Sequence, residues 1–586
     1  MDVRAEIISV IQQSLAEFTK EEIDFLVEEP ENESFGDYST NIALALFASS
    51  KLKTQNSKLQ LKTQKWGSPM ELAEEIAKKL EVSSQKLEVI EKVEAVKPGF
   101  INFSLSQKFL ITNLQKVEKG YGKGEVLKGK KVMVEFTDPN PFKEFHIGHL
   151  YTNIVGEAIS RILSANSADI KRANYQGDVG MHVAKALYGL LNSKLKSQNS
   201  KLEEKPLKEK IKILGEAYAF GAKVYEEDEG RKKEIEELNK KIYAKDEAIM
   251  GLYEKGRQWS LEYFETIYKR LGTKFDFYYF ESEVGIDGLK LVKEYLKKGV
   301  FMESQGAVIF PGKKQSLHDR VFINSLGLPT YEAKELGLAF KKYQDFKFDQ
   351  SIVITGNEII GYFKVLLAAL GKINPEIASK IKHLPHGMVR LPTGKISSRS
   401  GNIITGEWLL DEAKQLLKSK FNEMTEEVLE QVAVGAVKYA LLKSSLGHDI
   451  EFNFEESINL QGNSGPYLQY TFARTQSVLA KLKSQNSKLK TTTQNLKLEN
   501  EEISLLRALN KFPEVVERAG EKFAPNILCN YLFDLAKKFN LFYQKHKILQ
   551  SRIQEQREFR LDLTRGVGQV IKTGLDLLGI SAPEKM

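Results

Sequence analysis

The sequence predicts an α/β protein with a parallel sheet at its centre, preceded by a small α+β region and followed by an all-α region. Three observations carry this expectation. From about residue 128, short apolar runs alternate with stretches of helical periodicity. Before about residue 115, helical patterns mix with two-residue alternation, and beyond about residue 421 the pattern is helical. The chain of 586 residues is 42% hydrophobic, enough for about three domains at roughly 100–200 residues each.

Taken in order, "MELAEEIAKKLE" at 70–81 has helical spacing and "FINFSL" at 100–105 alternates like a half-buried strand. "KVMVEF" (131–136) reads as a strand, 147–165 as a helix and "DIKRANYQ" (169–176) as the next strand. A charged helical stretch over about 203–271, then "AVIFP" and "RVFINS", interrupt the rhythm. It resumes with "QSIVITG" (350–356) and a helix near 358–370. Near the end, "RLDLTRGVGQVIKTGLDLLGI" is the clearest amphipathic helix.

The net charge of +8 has a local origin. Three related polar phrases, "KLKTQNSKLQLKTQK" (51–65), "KLKSQNSK" (194–201) and "KLKSQNSKLKTTTQNLK" (481–497), hold thirteen lysines and no acids, so without them +8 becomes −5. Their composition marks surface-loop insertions, and their irregular separation is not that of a solenoid. Net charge is therefore no argument for a nucleic-acid partner. The single cysteine, Cys529, excludes an internal disulfide and a multi-cysteine zinc site. The first residues, "MDVRAEIISVIQQSLAEF", are unlike a signal sequence, and no apolar run approaches the roughly 18 residues that cross a bilayer. A soluble, cytoplasmic protein without a membrane partner is expected.

Chemistry enters with "DPNPFKEFHIGHLYTN" (138–153), which follows the first predicted strand. Ile147, Leu150, Ile154 and Ala158 continue at helical spacing, so His146 and Gly148 fall where a helix begins. Such a turn suits phosphate, because free amides and the positive end of the helix dipole converge there, and histidine donors add to that field. A metal reading of His146 and His149 lacks a third ligand, and no Cys/His cluster or His-Glu-x-x-His stands nearby. At 394–402 stands "GKISSRSGN", a Gly/Ser loop carrying Lys395 and Arg399. By itself this is an ordinary basic turn.

The two motifs together resemble the paired signatures of class I aminoacyl-tRNA synthetases, and the residues around them resemble the arginyl family in particular. "DPNPFKEFHIGH", "NYQGDVGMH" (174–182), "GLPTYEAKELGLA" (327–339) and "GMVRLPTGKISSRSGN" (387–402) look like its blocks. "FGDYSTNIALALF" (35–47) and "KPGFINFSL" (97–105) look like its amino-terminal domain. "GNSGPYLQYTFAR" (462–474) and the ending "LLGISAPEKM" look like its helical anticodon-binding domain. The resemblance implies a tRNA D-loop-recognition domain over 1–116 and a Rossmann-type catalytic domain over 117–420 with an insertion at about 194–345. It places an α-helical anticodon-binding domain over 421–586.

It further implies arginine activation by ATP, accompanied by Mg2+ and without a protein metal site, followed by transfer to tRNA(Arg), by a monomer. Activation is nucleotidyl transfer, which needs positioning and cations more than a general base. His146 and His149 would meet the α-phosphate, with Gly148 small enough for adenine to lie on the backbone. Lys395 and Arg399 would hold the departing pyrophosphate with Ser397 and Ser398 beside them. Ser398 stands where the commoner loop has a second lysine, whose charge Lys143 would replace. Gly356 and Glu358, after a predicted strand, match the ribose site or else a plain helix start. A guanidinium calls for a planar wall of acceptors, which Glu135, Tyr331 and Glu335 fit, with Asn140 for the amino or carboxylate end. The family usually has Asp where Glu335 stands. Asn102, Tyr467 and Tyr470 are candidates for tRNA contact.

Three other readings compete. A cysteinyl-tRNA synthetase needs a zinc-thiolate site, which one cysteine excludes. A small nucleotidylyltransferase would leave the flanking regions without purpose, and a non-catalytic tRNA-binding paralogue would be expected to lose signature residues that this chain keeps.

Overall fold

The computed structural model describes residues 3–19, 22–30, 32–53, 66–84, 88–192, 202–392, 404–421, 423–483 and 496–586. Lys395, Ser397, Ser398 and Arg399 lie outside the described residues, as do most of the three lysine-rich insertions. The chain forms two compact units. One comprises Met1–Tyr121, Val478–Phe512 and Lys537–Val570, and the other Gly122–Ser477, Pro513–Ala536 and Ile571–Met586.

The second unit is built on a five-stranded parallel sheet in the order Ile381–His386, Gln350–Gly356, Lys131–Glu135, Asp169–Gln176, Phe277–Phe280. Val132, Met133 and Val134 are all buried, as are Ile352, Val353 and Ile354, because a parallel sheet covered on both faces has no polar side to alternate with. The strand that comes first in sequence is central. The next two add on one side of it and the last two on the other, so the order reverses between Lys131–Glu135 and Gln350–Gly356. Open α/β sheets hold ligands at that reversal, outside the carboxyl ends of the strands.

The strands at 169–176 and 350–356 and the helix Ile147–Ala165 fall where the sequence puts them. That helix lies so close to the sheet that a Cβ on Gly156 would come 2.1 Å from Cγ of Phe136. The expected continuous insertion over 194–345 is broken by Phe277–Phe280, which pairs with Asp169–Gln176 as an edge of the main sheet. Four aromatic residues carry no periodicity long enough to show that membership in sequence. Around it lie the helices Leu207–Glu227, Glu229–Ala244 and Glu247–Leu271 and a three-stranded antiparallel sheet of Met302–Ser304, Ala307–Phe310 and Arg320–Ile323.

Polar ties fasten distant parts of this unit. Glu157, 3% exposed, receives Arg161 at 2.6 Å and Arg172 at 2.8 Å, and Arg161 also donates to the carbonyl and carboxylate of Asp576. Lys438, buried in the Glu426–Leu442 helix, donates to the carbonyls of Leu271 at 2.6 Å and Gly579 at 2.5 Å. Burial pushes its ammonium down to about 7, Arg161 adding to the effect and Glu157 opposing it.

The first unit contains a four-stranded antiparallel sheet, ordered Val27–Glu28, Tyr38–Thr40, Phe100–Leu105, Ile90–Val96. Three acids of one short stretch pair with bases of the later helices: Glu29 with Lys511, Glu33 with Lys538 and Asp37 with Arg507. Among the described residues, no helix is long and apolar enough to cross a membrane.

Candidate active site

The turn out of the central strand leads into the Ile147–Ala165 helix, and His146 is the N-cap of that helix. Its Nδ1 accepts the Gly148 N–H at 3.1 Å and, more loosely, the His149 N–H at 3.4 Å. An imidazole nitrogen accepts only without its proton, so the ring donates from Nε2. Burial and then Lys143 push His146 down to about 4, against the pull of Glu358. Burial, then His146 and Lys143, hold His149 well below the ordinary histidine range. The two rings stack with centroids 3.5 Å apart. At neutral pH each ring therefore brings one N–H donor and no net charge to the helix terminus. Nδ1 of His149 is buried and has no partner among the described residues.

Gly148 has a use beyond leaving room for a base: a Cβ there would stand 2.9 Å from Cε1 of His146, inside the capping ring. Facing this turn, the carboxylate of Glu358 folds back over Gly356, where a Cβ would meet Oε2 at 2.1 Å. Both turns border one cavity of about 690 Å3 at the strand-order reversal. His146, Gly148, His149, Gly356 and Glu358 line it, as do Asn140, Tyr331 and Glu335. Asn140 reaches it because Gly177 gives way, since a Cβ on Gly177 would lie 2.3 Å from Oδ1 of Asn140. Tyr331 and Glu335 are one turn apart on the helix Tyr331–Asp345.

The lysine- and arginine-bearing loop adjoins the same turn at its described end. The N–H of Ile147 donates to the carbonyl of Ile404 at 2.9 Å and that of Gly406 to Phe145 at 2.8 Å, while Met388 and Val389 ahead of the loop line the cavity.

Several expected residues stand elsewhere. Glu135 does not line the cavity: it is 1% exposed, and its carboxylate accepts from Lys342, itself 2% exposed, at 2.6 Å. A carboxylate already closed in a buried ion pair is not a free wall for guanidinium. Lys143 does not line it either; its ammonium lies 4.7 Å over the ring of Tyr218. Asn102 is buried in the first unit, its Oδ1 accepting from the Ser39 hydroxyl at 2.7 Å. Tyr467 packs edge-on to Phe533, and Tyr470 lines a second cavity of about 620 Å3 with Lys420 and Lys585. Among the described residues no group of three or more His, Cys, Asp or Glu could hold a metal ion.

The cavity also contains residues not singled out in the sequence. Asp138 follows Thr137 in a left-handed turn, with φ of 46° and 83°, conformations that cost about 1–3 kcal/mol each. Asn153 holds the turn by donating to the Thr137 hydroxyl at 2.9 Å, and Asp138 accepts the Tyr175 N–H at 2.8 Å. Asp-Pro is an ordinary turn signal, which hid the acid in plain view. Arg320, Glu332, Tyr362 and His386 line the cavity too. They come from four separate elements, and only the fold brings them together.

Family comparisons agree with this geometry. The profile for "tRNA synthetases class I (R), catalytic domain" matches residues 111–454, which sets the chain among the class I aminoacyl-tRNA synthetases. "Arginyl tRNA synthetase N terminal domain" matches 5–105 and "DALR anticodon binding domain" matches 468–586. An arginine--tRNA ligase of Borrelia hermsii is 30% identical over 584 residues, 97% of this chain and 95% of its own length. One from Borreliella burgdorferi is 32% identical over 541 residues, 88% of this chain and 90% of its own. The chain belongs to the arginyl-tRNA synthetase family. The Thermus thermophilus arginyl-tRNA synthetase structure, 23% identical, shares the fold with a TM-score of 0.78 and full coverage of both chains.

Proposed function

We propose that this chain activates L-arginine with ATP and transfers it to tRNA(Arg). The observation that carries this reading is one cavity at the strand-order reversal lined both by the phosphate-type donors of the His146–His149 turn and by the acids Asp138, Glu332 and Glu335. ATP lies with its α-phosphate at the amino end of the Ile147–Ala165 helix, where the helix dipole and the imidazole N–H groups of His146 and His149 meet the charge of the transition state. Gly356 and Glu358 take the ribose. Arginine lies beside the acids, its guanidinium on Tyr331 and Glu335 and its amino group toward Asn140. Its carboxylate attacks the α-phosphorus, pyrophosphate leaves, and a ribose hydroxyl of the tRNA terminus then attacks the adenylate carbonyl and releases AMP.

Lys395 and Arg399, with Ser397 and Ser398, hold the pyrophosphate, and Lys143 contributes charge nearby. Mg2+ accompanies ATP as its counterion. Over the chain, residues 1–116 read the D-loop corner of tRNA, 117–420 carry the chemistry and 421–586 read the anticodon. Tyr470 is the better-placed of the tRNA candidates, since its cavity has lysines at its rim and room for a base. The protein works as a cytoplasmic monomer. Charging total tRNA with each labelled amino acid in turn tests the reading: arginine alone should be incorporated, and incorporation of another amino acid, or of none, overturns it.

A further inference from the structure

The cavity holds more carboxylates than cations. Five acids gather in and around it: Glu135, Asp138, Glu281, Glu332 and Glu335. Three cations are closed in ion pairs with these acids, Lys342 with Glu135 at 2.6 Å, Lys334 with Glu281 at 2.5 Å and Arg320 with Glu332 at 3.3 Å, and Lys143 acts on Glu281 without pairing with it. Of the five, Asp138 and Glu335 are the two that take part in none of these ion pairs, and both line the cavity. The tyrosines beside them offer no charge to balance a second anion: Tyr175 and Tyr362 are held in their neutral form by burial, and Asp138 meets only backbone donors, its own N–H and that of Tyr175.

We propose that Asp138 and Glu335 together are the seat of the substrate's side-chain cation, that the empty seat keeps one proton between them, and that an entering guanidinium expels it. This rests on the reading of those acids as the arginine pocket. The guanidinium arrives and stays charged, the carboxylic O–H breaks, and its proton passes to the buffer, leaving two carboxylates around one cation. Asp138 thereby becomes a specificity-determining residue that the turn sequence conceals.

The electrostatics run in the direction this needs. Burial and then Glu135 raise both carboxyls well above the ordinary range, with Lys342 opposing in each case and Asp138 and Glu281 adding to the rise at Glu335. Two like charges in one dry site do not both ionise until a counter-charge comes. Arginine affinity should therefore fall with pH below the raised value of the free seat, by up to about tenfold per pH unit. A neutral urea isostere such as citrulline brings no charge and should displace no proton.

Calorimetry of arginine binding to the full chain at pH 7, in two buffers of different ionisation enthalpy and with tRNA present or absent, reads the proton directly. About one proton should leave per arginine in the parent and less than about 0.3 in Asp138→Asn, which keeps the acceptor for Tyr175. Equal heats in both buffers for the parent protein, or undiminished release in Asp138→Asn, would sink the proton-displacing seat while leaving the arginine pocket standing. No arginine binding at all, with or without tRNA, would instead overturn the pocket on which the proposal rests.

Discussion

At the scale of single residues, the clearest assignments are those whose chemistry is tied to backbone position. His149→Ala and Lys395→Ala should each lower charging at least about a hundredfold, the usual loss when a donor aimed at transition-state charge is removed. Charging at the parental rate in either variant would remove that residue from the ATP site. Glu335→Gln should raise the KM for arginine at least about tenfold, since a charge-assisted bond contributes about 1.5–3 kcal/mol, and leave the KM for ATP nearly unchanged. Equal rises for both substrates would take Glu335 out of the arginine pocket. His146 also makes a pH-dependent contribution to the fold. Because its folded value is depressed to about 4, the stability it gives is present above the unfolded value near 6.5 and is lost as pH falls through 4. Urea melts from pH 7 to pH 4 should show this loss in the parent and a smaller one in His146→Asn, which retains an N-cap acceptor without a titrating ring. Parallel pH curves would contradict it. The place of His146 and His149 at a helix start was legible because spacing on a helix is local. The pairing of Glu135 was not legible because its partner, Lys342, lies 207 residues away, and no local pattern shows that a carboxylate is already occupied.

At the scale of elements, the strands at 131–135 and 350–356 were legible because each centres on three consecutive apolar residues buried on both faces, Val132, Met133 and Val134 in one and Ile352, Val353 and Ile354 in the other. Phe277–Phe280 was not, since its place at the sheet edge is decided by pairing with Asp169–Gln176 and not by its own composition. The helix Ile147–Ala165 depends on contact as well as periodicity. Its Gly156 sits against Phe136, so Gly156→Ala should destabilise the protein by about 1–3 kcal/mol through overpacking, although alanine is the better helix former. Denaturant melts would check this, and a midpoint equal to or above the parent's would show that the helix can move away from the sheet.

At the scale of the whole molecule, the +8 charge comes from the insertions, and the rest of the chain is mildly acidic. Replacing 51–65 or 481–497 by a short linker should leave charging within a few-fold, because loop length affects stability only weakly. A collapse in tRNA affinity that basic peptide restores would show that those lysines bind RNA. The order of regions along the chain was legible from changes in periodicity. The division into two compact units was not, because Val478–Phe512 and Lys537–Val570 join Met1–Tyr121 through contacts between residues hundreds of positions apart, such as Asp37 with Arg507.

The ties from Arg161 to Asp576 and from Lys438 to Gly579 also set a clock on synthesis. Arg161 and Asp576 are 415 residues apart, about 20–80 s of translation at roughly 5–20 residues per second. Through that interval the nascent α/β unit carries Arg161 without the helix end it grips, and over the 141 residues from Lys438 to Gly579 it carries Lys438 without one of the two carbonyls that hold it. The segment at 571–586 thus closes a unit begun near residue 122, and ribosome-bound chains that stop short of it expose polar groups the finished protein keeps inside.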